Sequence, residues 1–140
     1  MSLCGAKTID RLGINGAVSL ALNRALVGLH QTKQLGSFKA EDLFSASVKL
    51  DGGLKAPNAY REQQTIIGGD GIEPIIGLAS IIAKVTRDEY MTKLALNKAF
   101  EPYNFARHKG YGTLSHRQAI VQHGLSPEHR HSYKIAIIDG

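Results

Sequence analysis

The chain has 140 residues, 43% of them hydrophobic and 21% charged, which excludes global disorder and allows one buried core. Its formal charge of +5 and pI near 9.4 suit a polyanion partner. An aromatic content of 6%, with no Trp, disfavours a single-strand binder built on many stacking platforms.

In chain order, Cys4 comes first. A lone cysteine cannot close an internal disulfide, and no Cys/His group has zinc spacing, so a reducing, cytoplasmic setting is the expectation. Neither a secretory leader nor an apolar run near the ~20 residues of a bilayer span is expected. Residues 9–30 then repeat apolar side chains near the 3.6 period, from Ile9 and Leu12 through Leu26 and Leu29, and predict an amphipathic helix. Gly13 and Gly16 weaken its first turns. Residues 31–45 are polar and predict a loop with a short turn around Glu41–Phe44. Ser47–Gly53 alternates as a short strand, residues 54–62 form a proline-containing loop, and Gln64–Ile67 makes a second strand stopped by Gly68-Gly69-Asp70-Gly71. A helix is predicted over 75–99, with Leu78, Ile81, Ile82, Val85, Met91 and Leu94 as its buried stripe. A loop over 101–113 leads to a helix at Leu114–His123, with Gly124 as its stop. Tyr133–Ile138 reads as a closing strand.

Chemistry concentrates at a few of these places. Asp51 and Asp70 each end a strand beside glycine. Parallel strands would bring both to one crevice, where hard cations take carboxylate oxygens; each could equally cap a turn. Ser80 and Lys84 share a helix face and could hold a phosphate, or Ser80 could bond the backbone while Lys84 reaches water. The turn Arg107-His108-Lys109-Gly110-Tyr111-Gly112-Thr113 sets cationic and titratable groups beside two glycines. Gly110 and Gly112 permit close backbone approach and leave Tyr111 presented, able to stack on a sugar or base and to meet a ribose 2′-OH. His116, His123, His129 and His131 lack metal spacing and are expected to be solvated or phosphate-facing.

At this point the residues show a resemblance. Ala79-Ser80-Ile81-Ile82-Ala83-Lys84-Val85-Thr86-Arg87-Asp88, then His108-Lys109-Gly110-Tyr111-Gly112-Thr113, His116 and Pro127–Tyr133, closely resemble the C-terminal half of bacterial ribonuclease HII, in the same order. Ile9–Ile14 with Ala17 is similar to that family's entry into its first long helix, and Val48–Gly52 and Ile66–Asp70 to its strands bearing the later two catalytic acids. The resemblance implies an α/β fold: a partial ribonuclease H-like domain over 1–140, with a short sheet, flanking helices and a C-terminal helical segment. It implies endonucleolytic hydrolysis of RNA in RNA-DNA hybrids, or at single ribonucleotides in DNA, with two Mg2+ or Mn2+ ions held by four acids. Asp51 and Asp70 would be two of these, catalytic and metal-holding. Tyr111 with Gly110 would probe the ribose, and Ser80, Lys84 and Lys109 would contact backbone phosphates.

The family's Asp-Glu-Ala-Gly-Arg-Gly motif, source of the first two acids, is not among these residues. Gly68 also stands where the family usually carries lysine. Little or no hydrolysis by this chain alone is therefore expected, leaving a duplex-binding remnant or one half of a split enzyme as alternatives. An uncovered sheet further predicts a homo-oligomer, with Tyr133–Ile138 pairing across the interface.

Overall fold

The structure is a computed structural model that describes residues 1–31 and 40–133. Two compact units divide the chain, Met1–Ile82 and Ala83–Gly140. Residues 32–39 of the expected loop, and all but the first residue of the expected closing strand, lie outside the described residues.

The first unit opens with α1 (Ala6–Gln31), which kinks at Gly13, where φ is 70° and ψ 168°. The kink falls where the two glycines weaken the helical pattern. Beyond it Ala17 and Leu26 are buried, whereas Leu12 and Leu29 of the expected stripe are exposed. One 18-residue window of α1 has mean hydropathy 1.3 and is long and apolar enough to cross a bilayer by length and composition. That corrects the expectation of no such run: between Leu12 and Leu29 the charged side chain is Arg24 alone.

A 3-10 turn at Ala40–Ser45 precedes β1 (Val48–Asp51) and β2 (Gln63–Ile66), which pair in parallel with Val48 opposite Gln63 and Asp51 opposite Ile66. Parallel neighbours need a crossover, here residues 52–62, and side chains fasten it to the sheet. Gln63 accepts from the Ala56 N–H at 3.0 Å and donates to the Tyr60 carbonyl at 3.0 Å, while Thr65 donates to the Leu54 carbonyl at 2.9 Å. Leu26, Leu50, Ala56 and Tyr60 form the core of this unit, with Leu22, Val48 and Leu54 at its margin. Beside them Tyr60 and His30 share a 2.8 Å hydrogen bond, and Phe44 packs on both rings.

Two helices follow: α2 (Gly69–Ile72), a single turn, and α3 (Pro74–Leu94). Ile76 is the residue of α3 that is buried, while Leu78, Ile81, Ile82 and Val85 are 48–61% exposed. The expected buried stripe is thus corrected. Periodicity identifies an apolar face, but burial requires another element to lie on it: the Gly110 turn meets the face at Met91, which with Leu94 is half-buried, while Leu78 to Val85 stay open. The helix also stops short of Ala99, because Asn97 accepts from the Ala99 N–H and starts a separate 3-10 turn, Lys98–Tyr103.

In the second unit that turn leads into α4 (Phe105–His108) and α5 (Leu114–His123). Thr113 caps α5 by accepting from the His116 N–H, and Gly124, at φ 77°, closes it as expected. Phe105 lies at the centre, 1% exposed, with Tyr103 stacked on it at 5.5 Å. His108, His116 and His129 are buried around it at 7%, 5% and 8% exposure. The expectation of solvated histidines therefore holds for His123 and His131 and fails for His116 and His129. Aromatic neighbours and each other's ring nitrogens replace water for those two.

Candidate functional site

The parallel pairing of β1 and β2 delivers both carboxyl ends to the same edge. Asp51 is the last residue of β1, and its Oδ1 accepts from the Gly69 N–H at 2.8 Å. Gly69 precedes Asp70, which stands in the first turn of α2 and not on the strand end itself. The two carboxylates consequently rise from adjoining backbone, and both residues are exposed. Asp51 thus does what a turn-capping aspartate does. Gly77 lets α3 seat against this turn: a Cβ there would lie 2.8 Å from the Asp70 carbonyl oxygen. Nearby, Lys49 donates to Glu73 at 2.6 Å, tying β1 to the α2–α3 junction and holding the Glu73 carboxyl below its ordinary range.

Could a metal be held here? Exposed aspartate oxygens are hard donors of the kind Mg2+ and Mn2+ take. Among the described residues, however, no group of three or more His, Cys, Asp or Glu comes together in metal-holding geometry. The two carboxylates fit such an ion in kind.

The second group of expected residues lies on α3 and in the 83–140 unit. Ser80 is exposed on α3. Lys84 donates to Asp88 at 2.7 Å, one turn on, which raises the Lys84 pKa and lowers that of Asp88. Lys109 and Gly110 both have positive φ, 51° and 76°, an arrangement a non-glycine residue adopts only at some cost. Two contacts hold Lys109 there, its ammonium donating to Thr92 Oγ1 and to the Ala106 carbonyl, each at 2.6 Å. A Cβ on Gly110 would meet Met91 Cε at 3.1 Å, so the turn sits directly on α3. Tyr111 is 53% exposed, as its glycine neighbours imply.

Two features of this turn escape sequence reasoning. The Arg87 guanidinium lies 4.7 Å from the Tyr111 ring centroid, backing the exposed phenol with a cation. The residues are 24 positions apart in sequence, and no local pattern links them. A groove of about 380 Å³, lined by Val85, Asp88, Glu89, Thr92, Lys93 and Lys109, also runs beside α3. In the structure Lys84, Arg87, Lys109, Gly110 and Tyr111 belong to one unit, and Asp51 and Asp70 to the other.

These features define a mixed α/β protein with adjoining carboxylates at a parallel strand end and a basic, tyrosine-presenting turn. Residues 12–136 match the sequence model of the family described as Ribonuclease HII. The chain is similar to ribonuclease HII of Dichelobacter nodosus, 42% identical over 93% of this chain and 61% of the relative. It is also similar to ribonuclease HII 1 of Methylibium petroleiphilum, 43% identical over 89% and 56%, and to ribonuclease HII of Chlorobium phaeovibrioides, 37% identical over 96% and 59%. The chain belongs to the ribonuclease HII family. It spans about 55–61% of the length of the curated relatives it matches. Because the family match begins at residue 12, most of apolar α1 lies within the family domain.

Proposed function

We propose that this chain engages ribose-containing duplexes, RNA-DNA hybrids or DNA with single ribonucleotides, as part of a metal-dependent endoribonuclease of the ribonuclease HII kind. The carrying observation is Tyr111, exposed on a turn of positive φ and backed by Arg87, with Lys84 and Lys109 in the same unit. A phenol so held can meet a ribose 2′-OH, while lysines and the Ser80 hydroxyl take phosphate oxygens. Asp51 and Asp70 would hold Mg2+ or Mn2+. The bound ions would supply Lewis-acid stabilisation and an activated water in a two-metal hydrolysis. The chain's own part is to present two adjoining carboxylates, Asp51 fixed by the Gly69 N–H. With two carboxylates, ions keep mostly water ligands and in-line geometry suffers. Hydrolysis by this chain alone is therefore slow or absent.

A labelled duplex with one ribonucleotide tests this reading. Binding should fall about tenfold between roughly 50 and 200 mM salt if only the two lysines meet phosphates, and it should survive Asp51→Asn. Cleavage with Mg2+ or Mn2+ should be at trace level and should rise if a chain carrying the remaining family acids is added. No binding at low salt would end the proposal. Rapid cutting by the chain alone, lost in Asp51→Asn, would overturn its low activity. Binding without any restoration of cutting would favour a non-catalytic binding module.

The exposed row Leu78, Ile81, Ile82 and Val85 supports a further element of the reading, a homo-oligomer that covers it. Light scattering at micromolar concentration should then report more than one copy; a monodisperse monomer removes this element.

A further inference from the structure

The proposed function makes no use of the buried imidazoles His108, His116 and His129. Burying three titratable rings costs solvation that an apolar core would not, so their contribution lies in the bonds they make. Those bonds fix the tautomers. The Ser126 backbone N–H can only donate, so His129 Nδ1, 2.9 Å away, accepts. A neutral imidazole has one donor and one acceptor. The His129 proton is thus on Nε2, where it meets His116 Nε2 at 2.9 Å. His116 must accept there, and it donates from Nδ1 to the Tyr111 carbonyl at 2.9 Å.

His108 follows the same logic. The Gly110 N–H donates to His108 Nδ1 at 3.2 Å, and His108 Nε2 donates to the Tyr103 carbonyl at 2.6 Å. The His108 and His116 rings stack at 4.2 Å, 18° from parallel. The N–H before the presented tyrosine and the carbonyl of the tyrosine itself are therefore each held by a buried neutral imidazole. One of those imidazoles is oriented in turn from Ser126.

We propose that His129 and His116 are positioning residues for Tyr111: a directed chain, Ser126 N–H to His129 to His116 to the Tyr111 carbonyl, sets where the phenol stands and hence how well ribose is distinguished from deoxyribose. This rests on the reading of Tyr111 as the ribose-facing group, so the test has one arm that needs no nucleic acid. In 15N-labelled protein near neutral pH, long-range imidazole correlations should show His129 protonated on Nε2 and His116 on Nδ1. The opposite tautomers, or a charged ring, would overturn the chain. Two isosteric variants separate orientation from packing. His116→Asn keeps a donor near the Nδ1 position, so the Tyr111 and Gly112 amide shifts should stay near wild type. His116→Gln places its amide near Nε2, loses that donor, and should move them. Equal effects of both variants would overturn the proposal. His116→Asn also loses ring packing and the acceptor for the His129 Nε2–H, so should it fail to fold, the wild-type tautomers decide the proposal.

The second arm compares binding to a duplex with one ribonucleotide against the all-DNA duplex. His116→Gln should lose roughly 3- to 10-fold of the wild-type preference, the effect of one misdirected hydrogen bond. His116→Asn should keep the preference, and its loss there would count against the chain. If the wild type shows no preference, the reading of Tyr111 as ribose-facing falls and the clause on sugar discrimination with it. The tautomers and amide shifts then still decide whether the imidazoles position the turn.

Discussion

Phe105→Ala is expected to destabilise the 83–140 unit by about 3–5 kcal/mol, the usual range for emptying an aromatic site. Phe105 is 1% exposed, the most enclosed large side chain among the described residues. Its ring stacks on Tyr103 at 5.5 Å, meets His116 edge-on at 5.7 Å, and contacts His129 at 5.5 Å and Phe100 at 6.0 Å. Truncation leaves a void bordered by imidazoles. Water entering it would rehydrate His116 and His129, adding to the cost of lost packing. Folding free energies are about 5–15 kcal/mol, so a loss of this size consumes a large part of the total. Phe105→Leu keeps most of the volume and should cost about 1–2 kcal/mol. Without Trp in the chain, urea unfolding is followed by far-ultraviolet circular dichroism and tyrosine fluorescence. A loss below about 1 kcal/mol for Phe105→Ala would show that the aromatic cluster does not hold the unit together.

Local signals were the legible part of this fold. Helix α5 runs from Leu114 to His123 as its pattern implies, because Thr113 and Gly124 act on their own neighbours. The two strands lie within about a residue or two of their expected places, since alternation and glycine stops are also local. Family motifs carried the identification, and the Ribonuclease HII match over residues 12–136 bears them out. What failed depends on partners distant in sequence. The apolar period of α3 marks a face correctly, but whether that face is covered is not encoded in the period, and Leu78 and Ile81 stand exposed. The histidines misled for a related reason. Imidazole is polar enough to expect at a surface, and only a match 13 residues away, His116 to His129, lets both rings leave water.

The candidate site divides along the same line. Tyr111 could be read as presented because its glycine neighbours decide the matter locally. Its backing by Arg87 could not, nor could the clasp of Asp51 on the Gly69 N–H, which joins positions 18 apart. The same separation of local from distant explains why the turn is held so firmly. Its positive φ at Lys109 is unfavourable on its own and persists because Thr92, Ala106 and His108 fix the surrounding backbone.

Acidification should unfold this unit earlier than carboxylate titration alone would. Burial holds the His129 pKa down to about 4, against an ordinary 6.5, and the repulsion that a second proton would meet at neighbouring His116 acts in the same direction. Burial likewise lowers His108, which also faces His116 and Arg107. His131 adds a weaker repulsion to His129. An unfolded chain takes up these protons near pH 6.5; the folded one refuses them until much lower. The stabilisation is therefore complete above about pH 6.5 and declines as pH falls, by roughly 1.4 kcal/mol per unit for each such group until its folded pKa is reached. Asp88, whose pKa is lowered by Lys84, contributes in a separate and more acidic window. Urea midpoints should thus fall between about pH 6.5 and 4.5. His129→Asn should flatten that slope, because the asparagine oxygen still accepts from the Ser126 N–H without gaining a charge. A wild-type midpoint that stays level across this interval would mean the rings are already protonated in the folded protein, and the hydrogen-bond directions drawn through them would be wrong.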